Sequence, residues 1–322
     1  STGYTVNGGE TSQTYIYIAI RRPMKTPESG TEVFAVDQAS NSVAPKFRAP
    51  FAVDMAWYRL NVSGTELGIV ADRLRGEKEL NFDTNYSEGG LYAGKFDYMN
   101  GWNNLTGANS ASYSWMLKRA TGFFDVVCYT GTGAGLNVAH NLGVAPEMIW
   151  VKNRDSSYSW TVYAAPLGTS SWLYLETAGA ASTANNPGFN AIGDTTFGVG
   201  SSVAVNGNTQ GILAYLFATL AGVSKVGSYT GTGADLNVDC GFSAGARFIL
   251  IKRTDSTGDW YYWDSVRGIV AGNDPYLLLN SDAAQVTNTD YIDPLASGFT
   301  VTSSAPAALN ASGGSYIFLA IA

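Results

Sequence analysis

Residues 127–138 read VCYTGTGAGLNV and residues 227–238 read GSYTGTGADLNV, with Tyr129 and Tyr229 separated by 100 positions. The register persists. MIWVKNRDSSYSW from Met148 lies over FILIKRTDSTGDW from Phe248, which pairs Lys152 with Lys252, Asp155 with Asp255 and Trp160 with Trp260. Further on, WLYLETAGAAST from Trp172 matches YLLLNSDAAQVT from Tyr276, and AYLFA from Ala214 matches YIFLA from Tyr316. A period of about 100 residues that survives small insertions marks two copies of one structural unit.

The repeat extends upstream. APFAVDMAWYR from Ala49 occupies the place of APEMIWVKNR and GARFILIKR, and this more diverged copy ends on YSWMLKRATG from Tyr113. The opening segment, GYTVNGGETSQTYIYIAIRR from Gly3, matches the closing GFTVTSSAPAALNASGGSYIFLAIA from Gly298. The organisation expected is therefore closing strands of a preceding unit over 1–25, a diverged unit over 26–122, and units over 123–222 and 223–322. A polypeptide that continues N-terminally is expected from the same match.

The matched blocks are short runs such as FFDVVCY, RFILIKR, SWTVYA and YIFLAIA, rich in β-branched and aromatic residues and bounded by Gly, Asn, Asp and Ser. Each reads as a strand. NRDSSYS and RTDSTGD have the length of hairpin connections, and TGTG is a turn whose glycines admit positive φ. GILAYLFATLAG has helix propensity, but its counterpart YIFLAIA is strand-like, and the repeat decides for strand. About seven strands per unit, with Greek-key connections, predict an all-β fold of tandem β-sandwiches.

Composition limits the partners. The 322 residues hold 26 acidic and 19 basic groups, a net charge of −7, and only 14% are charged. No concentrated basic face is available for a nucleic acid, so none is expected as partner. The longest apolar run, residues 212–223, falls short of the ~20 residues that a helix needs to cross a bilayer, so no membrane insertion is expected. Two cysteines exclude a disulfide scaffold and a four-cysteine metal site.

Individual chemical candidates are weighed against plainer roles. His140 and Cys240 are equivalent positions of separate units, which favours buried filler over a catalytic pair; Cys128, on a core strand, reads as a small buried hydrophobe. TGTG lacks the GK[ST] ending and following helix of a phosphate loop. Asp255, Thr257 and Asp259 have alternate-residue oxygens but no bidentate acid behind them, so a hairpin turn is preferred to a calcium loop. A carbohydrate hydrolase needs two carboxylates roughly 5–9.5 Å apart, and the candidates Asp54, Asp72, Glu147, Asp259, Asp264 and Asp293 do not recur as a pair across units. No catalytic residue, metal ligand or cofactor is assigned.

The exceptional local feature is WYYWDS, residues 260–265. Strand alternation sends Trp260 and Tyr262 to one face and Tyr261 and Trp263 to the other. One pair is expected in the core and the other against solvent or a neighbouring chain. With Asp259 and Asp264 flanking it, and Trp160 as its counterpart, this set is the candidate ligand-binding or interface site. The interface reading is preferred to sugar stacking.

The wording of the repeat carries a resemblance. FFDVVCYTGTGAGLNVAHNLGVAPEMIWVKNRD, DCGFSAGARFILIKRTDSTGDWYYWDSVRGI and GGSYIFLAIA resemble the repeated C-terminal domain of tail-fibre proteins from tailed, often marine, bacteriophages, and YIYIAIRRPMKTPESGTEVFAVD, FDYMNGW and SWMLKRATGFFDVV resemble the same family's upstream repeat. The resemblance covers almost the whole chain and transfers no catalytic residue. It implies a virion-attached, non-enzymatic host-recognition fibre, with partners comprising further copies of itself, a trimer being the expected state, other virion proteins, and host glycan or lipopolysaccharide. A surface-polysaccharide depolymerase and a head-decoration or tail-shaft protein are the alternatives.

Overall fold

The computed structural model describes residues 25–40, 44–60, 68–90, 94–104, 111–184 and 187–322. The match between residues 1–25 and the chain's closing strands lies almost wholly outside them. Within the described residues the fold is all-β.

Unit one comprises β1 (Phe34–Gln38), β2 (Phe47–Arg48), β3 (Met55–Leu60), β4 (Ile69–Asp72), β5 (Leu80–Asn81), β6 (Gly94–Lys95), β7 (Gly101–Asn104) and β8 (Ser112–Leu117). Unit two comprises β9 (Phe124–Thr130), β10 (Leu136–Ala139), β11 (Met148–Asn153), β12 (Thr161–Ala164), β13 (Leu173–Tyr174), β14 (Thr196–Val199) and β15 (Gly211–Phe217). Unit three comprises β16 (Ser224–Thr230), β17 (Leu236–Asp239), β18 (Phe248–Arg253), β19 (Trp260–Asp264), β20 (Leu277–Leu278), β21 (Ile292–Leu295), β22 (Gly298–Val301) and β23 (Ser315–Ile321).

Each unit repeats one antiparallel topology. The large sheets run β1-β8-β3-β4-β5, β9-β15-β11-β12-β13 and β16-β23-β18-β19-β20; the small sheets run β2-β7-β6, β10-β14 and β17-β22-β21. The first two strands of a unit thus pair with its last two, the wrapping that jelly rolls use to cover sheet edges. Met55 pairs with Leu117, Met148 with Phe217 and Phe248 with Ile321, which puts the three units in one register.

The TGTG turn is held by an asparagine. Asn206 and Asn310 end equivalent four-residue helices, Val203–Asn206 and Ala307–Asn310, and are buried. The Asn310 side chain accepts from the Thr232 N–H at 2.9 Å and donates to the Ala234 and Thr302 carbonyls at 2.8 and 2.9 Å. Asn206 accepts from the Thr132 N–H at 2.8 Å and donates to the Ala134 and Gly200 carbonyls. Gly133 and Gly233 take φ of 71° and 72°, where a β-carbon is disfavoured.

One face of every large sheet packs on its own small sheet, forming three separate cores. The opposite faces converge. Trp57, Trp115 and Leu80 of unit one, Trp150, Tyr215 and Leu173 of unit two, and Leu250, Tyr262 and Leu319 of unit three share a single apolar cluster. The chain is therefore a closed ring of three sandwiches about a common centre, a pseudo-threefold assembly made by one polypeptide. The tandem β-sandwiches predicted from the repeat thus pack on one another as a ring. Its closing seam joins the two ends of the described chain: Phe34 packs on Phe248 with ring centroids 5.4 Å apart, and a β-carbon on Gly30 would collide with the Ala322 carbonyl. The chain passes between units by short turns at Gly122 and Gly222, with φ of 77° and 73°.

Candidate functional site

The strand register makes Arg59, Lys152 and Lys252 equivalent positions, and all three side chains cross a seam. Lys252 donates to the Ala178 and Gly179 carbonyls of unit two at 3.1 and 2.7 Å and to its own Gly258 carbonyl at 2.6 Å. Lys152 donates to the Asn85 carbonyl of unit one at 3.2 Å, and to Asn153 and Ser156 carbonyls at 2.8 and 3.3 Å. Arg59 closes the cycle, donating to the Leu278, Ser281 and Ala283 carbonyls of unit three. Each cation thus reaches into the loop that follows the fifth strand of the preceding unit. Burial pulls both lysines down to about 8, so they remain mainly protonated at neutral pH.

The sequence-predicted residues lie in the same seams. Trp160 and Trp260 are buried, and their indole N–H groups donate to the Asn81 and Tyr174 carbonyls of the preceding unit at 2.7 and 3.1 Å. In β19 the expected alternation holds: Trp260 and Tyr262 enter the central cluster, Tyr261 and Trp263 the core of unit three. Neither pair is left facing outward for solvent or a neighbouring chain: Trp260, Tyr261, Tyr262 and Trp263 are all buried within the chain, Tyr261 the most exposed at 9%. A strand sandwiched between its own small sheet and the ring centre has no wet face. Asp259 accepts from the Asn280 amide at 2.8 Å, a local hairpin contact.

Asp264 is buried and fully engaged. It accepts from the Val266 and Arg267 N–H groups at 3.0 and 2.9 Å, from the Arg267 guanidinium at 2.5 Å, and from the Trp115 indole of unit one at 3.1 Å. Unit one repeats the device: Asp72 binds Arg75 three residues on at 2.5 Å and accepts from the Tyr215 hydroxyl of unit two at 2.9 Å. At the third seam the equivalents, Ala164 and Leu319, are apolar and buried. Glu88 extends the first network to Arg154 of unit two at 2.8 Å. These seam networks, which tie residues over 140 positions apart, were invisible in the sequence; the one available signal was the recurrence of D-x-x-R at residues 72–75 and 264–267.

The remaining candidates have structural places. His140 is buried, accepts the Leu142 N–H at 3.2 Å and lies 3.0 Å from the Gly193 carbonyl, as a buried filler would. Cys240 is also buried, and desolvation pushes its thiol up to about 12. Cys128 departs from expectation: it is exposed, because β9 runs past the edge of the central cluster before it ends. Asp54 accepts from Arg73 and from the Arg119 N–H, and Glu147 from the Thr219 N–H. Asp255 accepts from the Arg253 guanidinium and the Ser315 N–H. Among the described residues no three His, Cys, Asp or Glu side chains converge as metal ligands, and no helix is long and apolar enough to cross a membrane.

A ring of three β-sandwiches whose aromatic and ionic residues hold it closed defines a scaffold class. Within that class the chain belongs to a family described as a domain of unknown function, DUF7483, whose model matches residues 101–322. The match takes in units two and three whole and begins at β7, so it also covers the last two strands of unit one. No curated protein matches the chain.

Proposed function

We propose that this chain is a non-enzymatic virion protein of the tail-fibre type, a host-recognition component carried on the phage particle. The observation that carries the reading is the ring itself. Trp160, Trp260, Tyr262, Asp72 and Asp264 are engaged in holding the three units together and Tyr261 and Trp263 fill the core of unit three, so what the molecule offers outward is strand edges, turns and loops on a weakly charged body. Such a surface, rich in Ser, Thr, Asn and Gly, favours neutral hydrogen bonding to host glycan or lipopolysaccharide, with little dependence on salt. The wording of the repeat supplies the virion context. Self-association into a homotrimer and contact with other virion proteins remain part of the proposal, but they must use surfaces other than the sheet faces already covered inside the chain.

The test is adsorption. Purified protein should bind host cells and compete with phage attachment, and labelled antibody should mark the tail tip. Antibody on the capsid would instead support the head-decoration reading, which the internal threefold pseudosymmetry favours, since a single chain already has the shape of a trimer. Loss of host polysaccharide on incubation with the protein, abolished by one Asp or Glu substitution, would replace both with the depolymerase.

A further inference from the structure

From a groove in unit three whose charged wall residues have no counterpart in unit two, we infer a binding site for a neutral sugar residue, an inference that rests on the adhesion reading and specifies its site. The groove, about 400 Å³, lies between units two and three. Its walls are Lys225 and Tyr229 of β16, Asn237 and Asp239 of β17, and Pro166 of unit two. A cavity of this size is within the range of small-ligand sites.

The repeat separates what the fold needs from what it does not. Registers of the first and second strands make Lys225 equivalent to Asp125, Gly227 to Val127 and Asp239 to Ala139. In unit two Asp125 is buried and paired with Arg119 at 2.6 Å, Val127 fills the wall, and Ala139 offers no polar group. In unit three Lys225 has no hydrogen-bond or ion-pair partner among the described residues, and Asp239 is exposed with one oxygen on the Gly241 N–H at 2.8 Å and the other facing solvent. Gly227 makes room for the buried Phe318 ring, which forms the floor of the groove: a β-carbon on Gly227 would stand 2.6 Å from its Cζ. The strand register moves the sequence match of Ala214 from Tyr316 to Phe318, so the pair Val127/Ala214 of unit two has become Gly227/Phe318.

The chemistry of the walls selects the ligand. The exposed Pro166 ring offers apolar surface for the C–H face of a pyranose, beside the outer edge of Tyr229, whose ring is stacked on Tyr316 at 4.8 Å. Around them stand an unpaired ammonium donor, a carboxylate acceptor and the Asn237 amide, whose oxygen is taken by the Thr300 hydroxyl at 2.8 Å while its N–H₂ remains available. Donors and acceptor of both charges, spaced round an apolar patch, suit vicinal hydroxyls better than an anion, which Asp239 would repel.

The experiment is titration calorimetry of the full chain with a panel of neutral hexoses, 6-deoxyhexoses and N-acetylhexosamines, then of the best binder with variants. At least one sugar should bind with millimolar affinity, Asp239→Ala should weaken it about tenfold, and the double variant Gly227→Val/Phe318→Ala, which copies the packing of unit two, should abolish it. Unchanged thermal midpoints would show that both variants fold; if the double variant does not fold, Asp239→Ala with Lys225→Ala decides alone. No binding by any member of the panel, or equal binding by wild type and variants, overturns the groove. Cell adsorption separates this from the parent reading: host binding that survives Asp239→Ala overturns the groove and leaves adhesion standing, whereas sugar binding by a protein that ignores host cells supports the groove and removes adhesion.

Discussion

Replacing Lys252 with methionine tests the ring directly. The side chain is fully buried, and methionine keeps most of its volume while removing every donor. Of its three acceptors, Ala178 keeps a second donor, the Gly258 N–H at 2.9 Å, but the Gly179 and Gly258 carbonyls lose theirs. Gly258 is buried but Gly179 is exposed and water can replace its donor, so one buried polar group is left without a partner, which costs roughly 1–3 kcal/mol. Relief from burying an ammonium offsets part of this, since desolvation already holds the lysine near 8, and a net loss of about 1–2 kcal/mol is expected. Urea denaturation followed by tryptophan emission should show a lower midpoint at unchanged slope. Lys152→Met, at the next seam, should have a loss of the same sign, and Lys78→Met, on the exposed surface, should stay within ~0.5 kcal/mol. A loss under about 0.5 kcal/mol for Lys252→Met, no larger than that of a surface substitution, would refute the seam argument. So would two separated transitions in the wild type, because units joined by one core must unfold together.

Three further outcomes follow from the same geometry. Asp274 is buried, and desolvation raises its carboxyl to about 7 although it accepts the Tyr291 and Ile292 N–H groups. An acid whose folded pKa exceeds its unfolded value of 3.8 favours folding when protonated, so its contribution is fully present below 3.8 and is lost as pH rises toward 7. Asp274→Asn should therefore gain stability relative to wild type across that interval in pH-resolved melting curves, and a constant difference would count against it. Asn310→Ala removes the clamp on the TGTG turn and should cost about 2–4 kcal/mol by denaturation, with Asn206→Ala similar; a loss within 0.5 kcal/mol would leave the turn without a cause. All eight tryptophans are buried. Their emission should be blue-shifted and poorly quenched by acrylamide, and an accessible fraction would restore the exposed-aromatic reading.

The sequence by itself determined the unit, its strands and its turns. Residues 127–138 and 227–238 fixed the repeat, and the repeat overrode local propensity in residues 211–217, where GILAYLF would pass for helix yet forms β15 beside β9 and β11. Alternation along WYYWDS was legible too, because a strand's period of two is a property of its backbone. What covers each face was not. Trp260 and Tyr262 meet residues of other units only because three large sheets turn their second faces to one centre, and no local pattern encodes that meeting. For the same reason Lys152 and Lys252 read as ordinary charges until the tertiary structure brought the carbonyls of the preceding unit to them. The groove beside Lys225 needed both: the repeat to show which residues depart, and the ring to place Pro166 of unit two across from them.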